Sequence, residues 1–151
     1  MINIRINERI IDMTVKDYLG QAYRIDNRIN SKLEQISSLR ELATKATSTL
    51  TDMPRNPSRN THPMESIIIK MIELEAEINN DIDTLVDLKR EIVKLIKSIG
   101  NTEHQTLLEL RYLCFKSWEQ IAVDMGYELR YLHKIHGRAL ESCDEIYKVD
   151  I

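Results

Sequence analysis

Residues 117–140 read SWEQIAVDMGYELRYLHKIHGRAL, and the placing of small and apolar side chains in them predicts two short helices meeting across a tight turn. Helices that cross steeply touch only where the contacting side chain is small, and Ala122 stands at that crossing. Ile121 and Met125 on the first helix, with Leu132 and Ile135 on the second, have the spacings that mark one buried face of each. Gly126 is placed to end the first helix in the left-handed conformation that glycine adopts at least cost. Tyr127 follows as a buried turn residue, and Ser117 is placed to cap the first helix. The alternative is a pair of ordinary core helices joined by glycine, which is a common arrangement.

With Leu132, Ile135, Ala139 and Leu140 directed to a core, the other side of the second helix shows Arg130, His133, Lys134 and Gly137, flanked by Leu129, Tyr131 and Arg138. No acidic residue lies between Leu129 and Leu140. This pattern predicts a recognition helix over 128–140 in a helix-turn-helix that enters the DNA major groove. Arginine bonds guanine with two parallel hydrogen bonds, so Arg130 near the helix start, and Lys134 one turn on, suit base edges. Leu129 suits a thymine methyl, Gly137 allows close approach to the backbone, and Lys116, Ser117 and Arg138 suit phosphates. Any one of these cations taken alone equally fits a solvated surface. The charge balance sets a limit: the chain carries net −3, and residues 101–151 hold six Lys or Arg against nine Asp or Glu. A binder driven mainly by counterion release is more basic than this, so modest affinity per subunit is expected, with two copies on the DNA or a protein partner.

Two copies have a source in the first hundred residues. From Thr14, an N-cap with Asp17 three residues on, Tyr18, Ala22, Ile25, Ile29, Ile36, Leu39, Ala43, Ala46 and Leu50 keep a three-four spacing. A second seam starts after Pro63 and runs through Met64, Ile67, Met71, Leu74, Ile78, Leu85, Leu88, Ile92, Leu95 and Ile99. Each seam has one polar interruption, Lys32 in the first and Asp81 in the second, and in an antiparallel pair these two lie at similar depth and can pair. Leu33, Leu42, Ile68, Ile82 and Ile96 remain as apolar surplus beside the seams. Surplus of that kind goes into a partner, which predicts a homodimer whose hairpins form a four-helix bundle.

The expected fold is therefore all-α: a long antiparallel two-helix coiled-coil hairpin followed by a trihelical helix-turn-helix domain. Its parts are an N-terminal extension over 1–13, the hairpin over 14–100 (helices 14–50 and 63–100, loop 51–62), and the DNA-binding domain over 101–151. Pro54, Pro57 and Pro63 mark the loop, which Arg55, Arg59 and His62 make basic. Gly100, Asn101 and Thr102 stop one helix and start the next, and Leu107, Leu108, Leu110, Leu113, Cys114 and Phe115 supply a third helix under the other two. Trp118, the sole tryptophan, plugs the joint, and Ile2, Ile4 and Ile6 alternate in a strand-like way.

Signatures of catalysis do not appear: no glycine-rich phosphate loop, nucleophile elbow or paired zinc-finger cysteines. His133, His136 and Cys143 form at most a weak zinc pattern. Cys114 and Cys143 fall in helical patterns and read as packed thiols. No enzyme activity, cofactor, metal or membrane span is expected, and a bacterial cytoplasm is the expected location.

The block LLELRYLCFKSWEQIAVDMGYELRYLHKIHGRALESC over 107–143 resembles region four of bacterial sigma factors. From about Tyr18 onward, including TSTLTDMPRNPSRNTHPMESII and LVDLKREI, the chain is similar to small phage and prophage transcriptional regulators of Gram-positive bacteria of the RinA and ArpU types. That resemblance implies a phage-encoded DNA-binding protein that controls late or packaging genes, with host RNA polymerase as a partner it would touch. Glu128 departs from the pattern, standing where the related proteins carry Ser or Thr. A second reading stays open, an adaptor whose hairpin binds another protein.

Overall fold

The computed structural model describes residues 13–50 and 61–149, and every element among them is helical. Two long helices come first, α1 over Val15–Leu50 and α2 over Thr61–Ser98, followed by the short α3 over Thr102–Leu108. A π-helical turn over Glu109–Leu113 continues α3; α4 spans Trp118–Met125 and α5 spans Leu129–Val149. The alternating isoleucines at the N-terminus and the proline-marked loop tip, with its Arg55 and Arg59, lie outside the described residues.

Local chemistry sets the helix ends. The hydroxyl of Thr14 accepts a hydrogen bond from the Asp17 amide at 3.2 Å and donates to the Asp17 carboxylate at 2.8 Å, so α1 starts where the cap predicts. α2 starts at Thr61, two residues before the proline, and Pro63 keeps its place in the first turn. At the other end of α2, Asn101 caps α3 by accepting from the amides of Glu103 and His104.

By its contacts the chain divides into two compact units, one of residues 25–85 and one of residues up to 24 together with 86–151. In the first unit, Ile29 and Ile36 of α1 and Leu74, Ile78 and Leu85 of α2 are buried, while Ile25, Leu39, Ala43, Ile67 and Met71 are half-buried. The two polar seam residues meet: Lys32 Nζ donates to Asp81 Oδ2 at 2.6 Å. Lys32 also lies 3.5 Å from Glu77, and Arg28 lies 3.5 Å from Asp81. The partners descend along α2 as α1 ascends, so this stretch of the helix pair is antiparallel.

The second unit joins the first turns of α1 and the last of α2 with the three short elements and α5. Its core holds Val15, Leu19 and Ala22, then Ile92, Ile96 and Ile99, then Leu107, Leu108, Tyr112, Ile121, Leu132, Ile135, Ala139 and Cys143. Rings tie the segments together, with Tyr18 and Tyr147 at 5.2 Å and Tyr23 and Phe115 at 5.7 Å. Ile96 is thus core rather than surplus, fully buried in the unit that the last turns of α2 share with the first turns of α1 and the C-terminal elements. Cys114 is also a correction, since the chain leaves the π-helical turn there and its thiol is exposed; Cys143 is the packed one.

Breaking the seam ion pair from one side strands a charge whose side chain is only about an eighth exposed. Lys32→Ala is expected to cost about 3 kcal/mol, reduced by whatever Arg28 makes good, whereas Lys32→Leu combined with Asp81→Leu is expected to be neutral or stabilising. Urea unfolding of the two variants measures the difference, and equal losses would count against a register-setting pair.

Candidate nucleic-acid interface

α5 is held by one side. Leu132, Ile135, Ala139 and Cys143 recur at three- and four-residue intervals and are 0–2% exposed, and Leu132 and Ile135 each contribute about 1.5–3 kcal/mol through burial. Leu132 and Ile135 join Leu107 of α3 and Ile121 of α4 in one cluster, with Leu110, Trp118, Ala122, Met125 and Tyr127 packed against it. Leu140, on the margin of that side, is half-buried. The helix runs to Val149, nine residues past the end at 140 that its exposed pattern suggests, because Cys143 prolongs the apolar stripe.

α4 is tied at both ends. Ser117 Oγ accepts from the Gln120 amide at 3.2 Å while the Ser117 amide donates to Gln120 Oε1 at 3.3 Å, a reciprocal capping box. Gly126 has φ 72° and ψ 33°, the left-handed conformation expected of it. This lets the amide of Tyr127 donate to the Ala122 carbonyl at 3.0 Å, closing off α4. Tyr127 is half-buried, and its hydroxyl donates to the Glu103 carboxylate, which fastens the turn to the start of α3 and raises the phenol's pKa. The Leu132 amide then donates to the Glu128 carbonyl at 2.9 Å as α5 begins.

Opposite the anchored stripe, Leu129, Arg130, Tyr131, His133, Lys134, Gly137 and Arg138 are all exposed. Among the described residues no ion pair engages Arg130, Lys134 or Arg138, and the four- and eight-residue steps between them set the three cations along one side of the helix. Tyr131 stands edge-on to Tyr127 at 5.1 Å and His133 lies 4.7 Å from Trp118, so both rings are braced by neighbours. Ser117 is exposed at the head of α4. Lys116 differs from the rest: its ammonium bonds Asp124 Oδ2 at 2.6 Å, a partner eight residues away that local helical spacing does not reveal. The pairing raises the Lys116 pKa and offsets the positive charge a phosphate would meet there.

Sequence reasoning missed what lies behind this face. His136 is buried and its Nε2 sits 2.7 Å from the Tyr112 hydroxyl, which can donate to it; Trp118 lies edge-on to the imidazole at 4.6 Å. The polar bond is 24 residues long in sequence, and the π-helical turn that aims Tyr112 inward has no pattern of its own in the chain. Burial first, then the neighbouring Lys16, Arg111 and His133, lowers the His136 pKa from 6.5 to about 4, and burial pushes the Tyr112 phenol up to about 12. His136 is thus a buried residue whose burial favours the neutral imidazole, and among the described residues no group of three His, Cys, Asp or Glu is placed to hold a metal ion. No helix of the described residues is long and apolar enough to cross a membrane.

Comparison with protein-family models, with curated proteins and with solved structures gives no match for this chain.

The depressed pKa of His136 has a pH signature. The unfolded chain takes up a proton at this residue near pH 6.5, whereas the folded chain accepts it only near pH 4, so stability is full above about pH 6.5 and falls progressively down to about pH 4. His136→Phe is expected to flatten that part of the curve while lowering stability at neutral pH by leaving the Tyr112 hydroxyl unpaired. Thermal unfolding of both proteins across pH 4–8 measures it.

Proposed function

We propose that α4, the Gly126 turn and α5 form a helix-turn-helix, and that the chain is a sequence-specific, double-stranded-DNA-binding regulator of transcription that acts as a homodimer. The observation that carries the reading is the opposition of faces on α5: a buried apolar stripe on one side, and on the other the exposed Arg130, Lys134 and Arg138, without an ion pair among the described residues and with no acid between Leu129 and Leu140. In this account Arg130 and Lys134 read base edges, Leu129 and Tyr131 meet the apolar parts of the groove, and Gly137 permits close approach. Arg138 and Ser117 hold phosphates, with Lys116 a weaker contributor because of Asp124. Control of phage late or packaging genes, with a contact to host RNA polymerase, rests on the family resemblance alone.

The dimer rests on the isoleucines that the single chain leaves open. Ile68, Ile72 and Ile82 are 41–60% exposed, and each follows a seam residue by one position, which puts them on one flank of α2. Leu33 is half-exposed and follows Lys32 of α1 in the same way. A second copy buries this flank and sets two recognition helices on one duplex, compensating for the acidic balance of the chain. The same exposed flank also favours the second reading, an adaptor that docks another protein there.

Gel shifts on DNA from the protein's own locus, run across a salt series, separate these readings. Arg130→Ala is expected to cost about 1–3 kcal/mol on particular base pairs, and Arg138→Ala to weaken binding evenly and lower the salt slope by about 1; binding that ignores both substitutions would leave the adaptor. Sedimentation is expected to give a dimer for the native chain and a monomer for Ile72→Glu combined with Ile82→Glu. A monomeric native chain at tens of micromolar would remove the four-helix bundle.

A further inference from the structure

In the unit that carries α5, a cavity of about 460 Å³ opens between the first turns of α1, the π-helical turn and the head of α4. Its size falls in the range of about 300–1,000 Å³ usual for small-molecule sites. Lys16, Arg24 and Arg111 line it against a single carboxylate, Asp17, an excess of two positive charges. The Asp17 carboxylate already accepts from the Thr14 hydroxyl, and the Asp17 carbonyl accepts from Arg24 Nη2 at 3.3 Å. Arg111 is preset: one of its nitrogens donates to the Lys116 carbonyl at 3.0 Å and its guanidinium lies 4.6 Å over the Trp118 ring.

The remaining walls are flat. Tyr23, Phe115 and Trp118 also line the space; Tyr23 is the exposed one of the three, at 52%, while Lys89 lies 4.8 Å over the Phe115 ring. Phe115 holds φ 57°, and among the described residues it is the one non-glycine residue with a positive φ. That conformation costs a bulky residue free energy and is met where surrounding structure enforces it, often at ligand sites. Strain, cationic excess and aromatic walls thus coincide in one opening.

We propose that this cavity binds a small organic dianion bearing a flat ring, of the nucleoside monophosphate kind. A phosphate monoester carries about −1.5 to −2 charges at neutral pH, which matches the excess of two positive charges in the lining, and arginine and lysine are the side chains that bind phosphate. The base stacks on the exposed ring of Tyr23, as bases do on aromatic side chains generally. Neither the ligand nor its site depends on the chain binding DNA.

Trp118 is the sole tryptophan of the chain and lines the cavity, so its fluorescence reports occupancy. Titration of the full chain, without DNA, is made with adenosine 5′-monophosphate, with inorganic phosphate and with adenosine. The monophosphate is expected to give a saturable change at least about tenfold tighter than either half alone. Lys16→Ala and Arg24→Ala, both exposed at the rim, are each expected to weaken it about tenfold with unchanged helical circular dichroism. Lys94→Ala, an exposed cation outside the cavity, is expected to leave it unchanged. No saturable change below millimolar concentration, a monophosphate no tighter than phosphate or adenosine, or binding indifferent to Lys16 and Arg24 would each overturn the assignment. Because DNA is left out, failure here and failure of the DNA reading are told apart.

Discussion

Anchoring α5 along the stripe of Leu132, Ile135, Ala139 and Cys143 removes its freedom to roll, and the rest of the C-terminal structure follows from that constraint. A helix carrying four nearly inaccessible side chains at three- and four-residue steps has one orientation in which they stay out of water. The cluster with Leu107 and Ile121 then dictates where α3 and α4 lie, and the Gly126 turn and the Ser117 box keep α4 at the required length. What is left outside is decided by elimination: Arg130, His133, Lys134 and Arg138 fall on the side away from that stripe and are exposed among the described residues.

Much of this arrangement was legible because it is local. Ser117, Gly126, Thr14 and Asn101 act through bonds within a few residues, so capping chemistry locates four helix ends from the chain alone. Lys32 and Asp81 were legible for another reason: a charge that interrupts an apolar seam needs an opposite charge at equal depth, and each seam offers one. The features that escaped are long-range. Lys116, just ahead of α4, pairs with Asp124 near that helix's far end, His136 finds Tyr112 from 24 residues away, and the burial of Ile96 is encoded by no spacing within α2. The positive φ of Phe115 escaped as well, since phenylalanine is a poor candidate for that conformation and only the surrounding fold explains its presence.

The neutral His136 shows how polar chemistry supports the candidate interface from behind. It bonds Tyr112, touches Trp118 through its ring, and Trp118 in turn braces His133 on the exposed side. Burial is the main cause of the lowered His136 pKa, because a charged imidazole at this depth loses its hydration. The cationic, aromatic cavity adjoins this chain of rings at Trp118, which is why a single residue can report on it.

Backbone amide resonances of the full chain, followed by NMR as double-stranded DNA from its own locus is added, test the central claim most directly. The account predicts that the largest shifts fall on the exposed side of α5, at Arg130, His133, Lys134 and Gly137, with a second set at Ser117. Shifts confined to the flank of α1 and α2 that carries Leu33, Ile72 and Ile82, with α5 untouched, would contradict it.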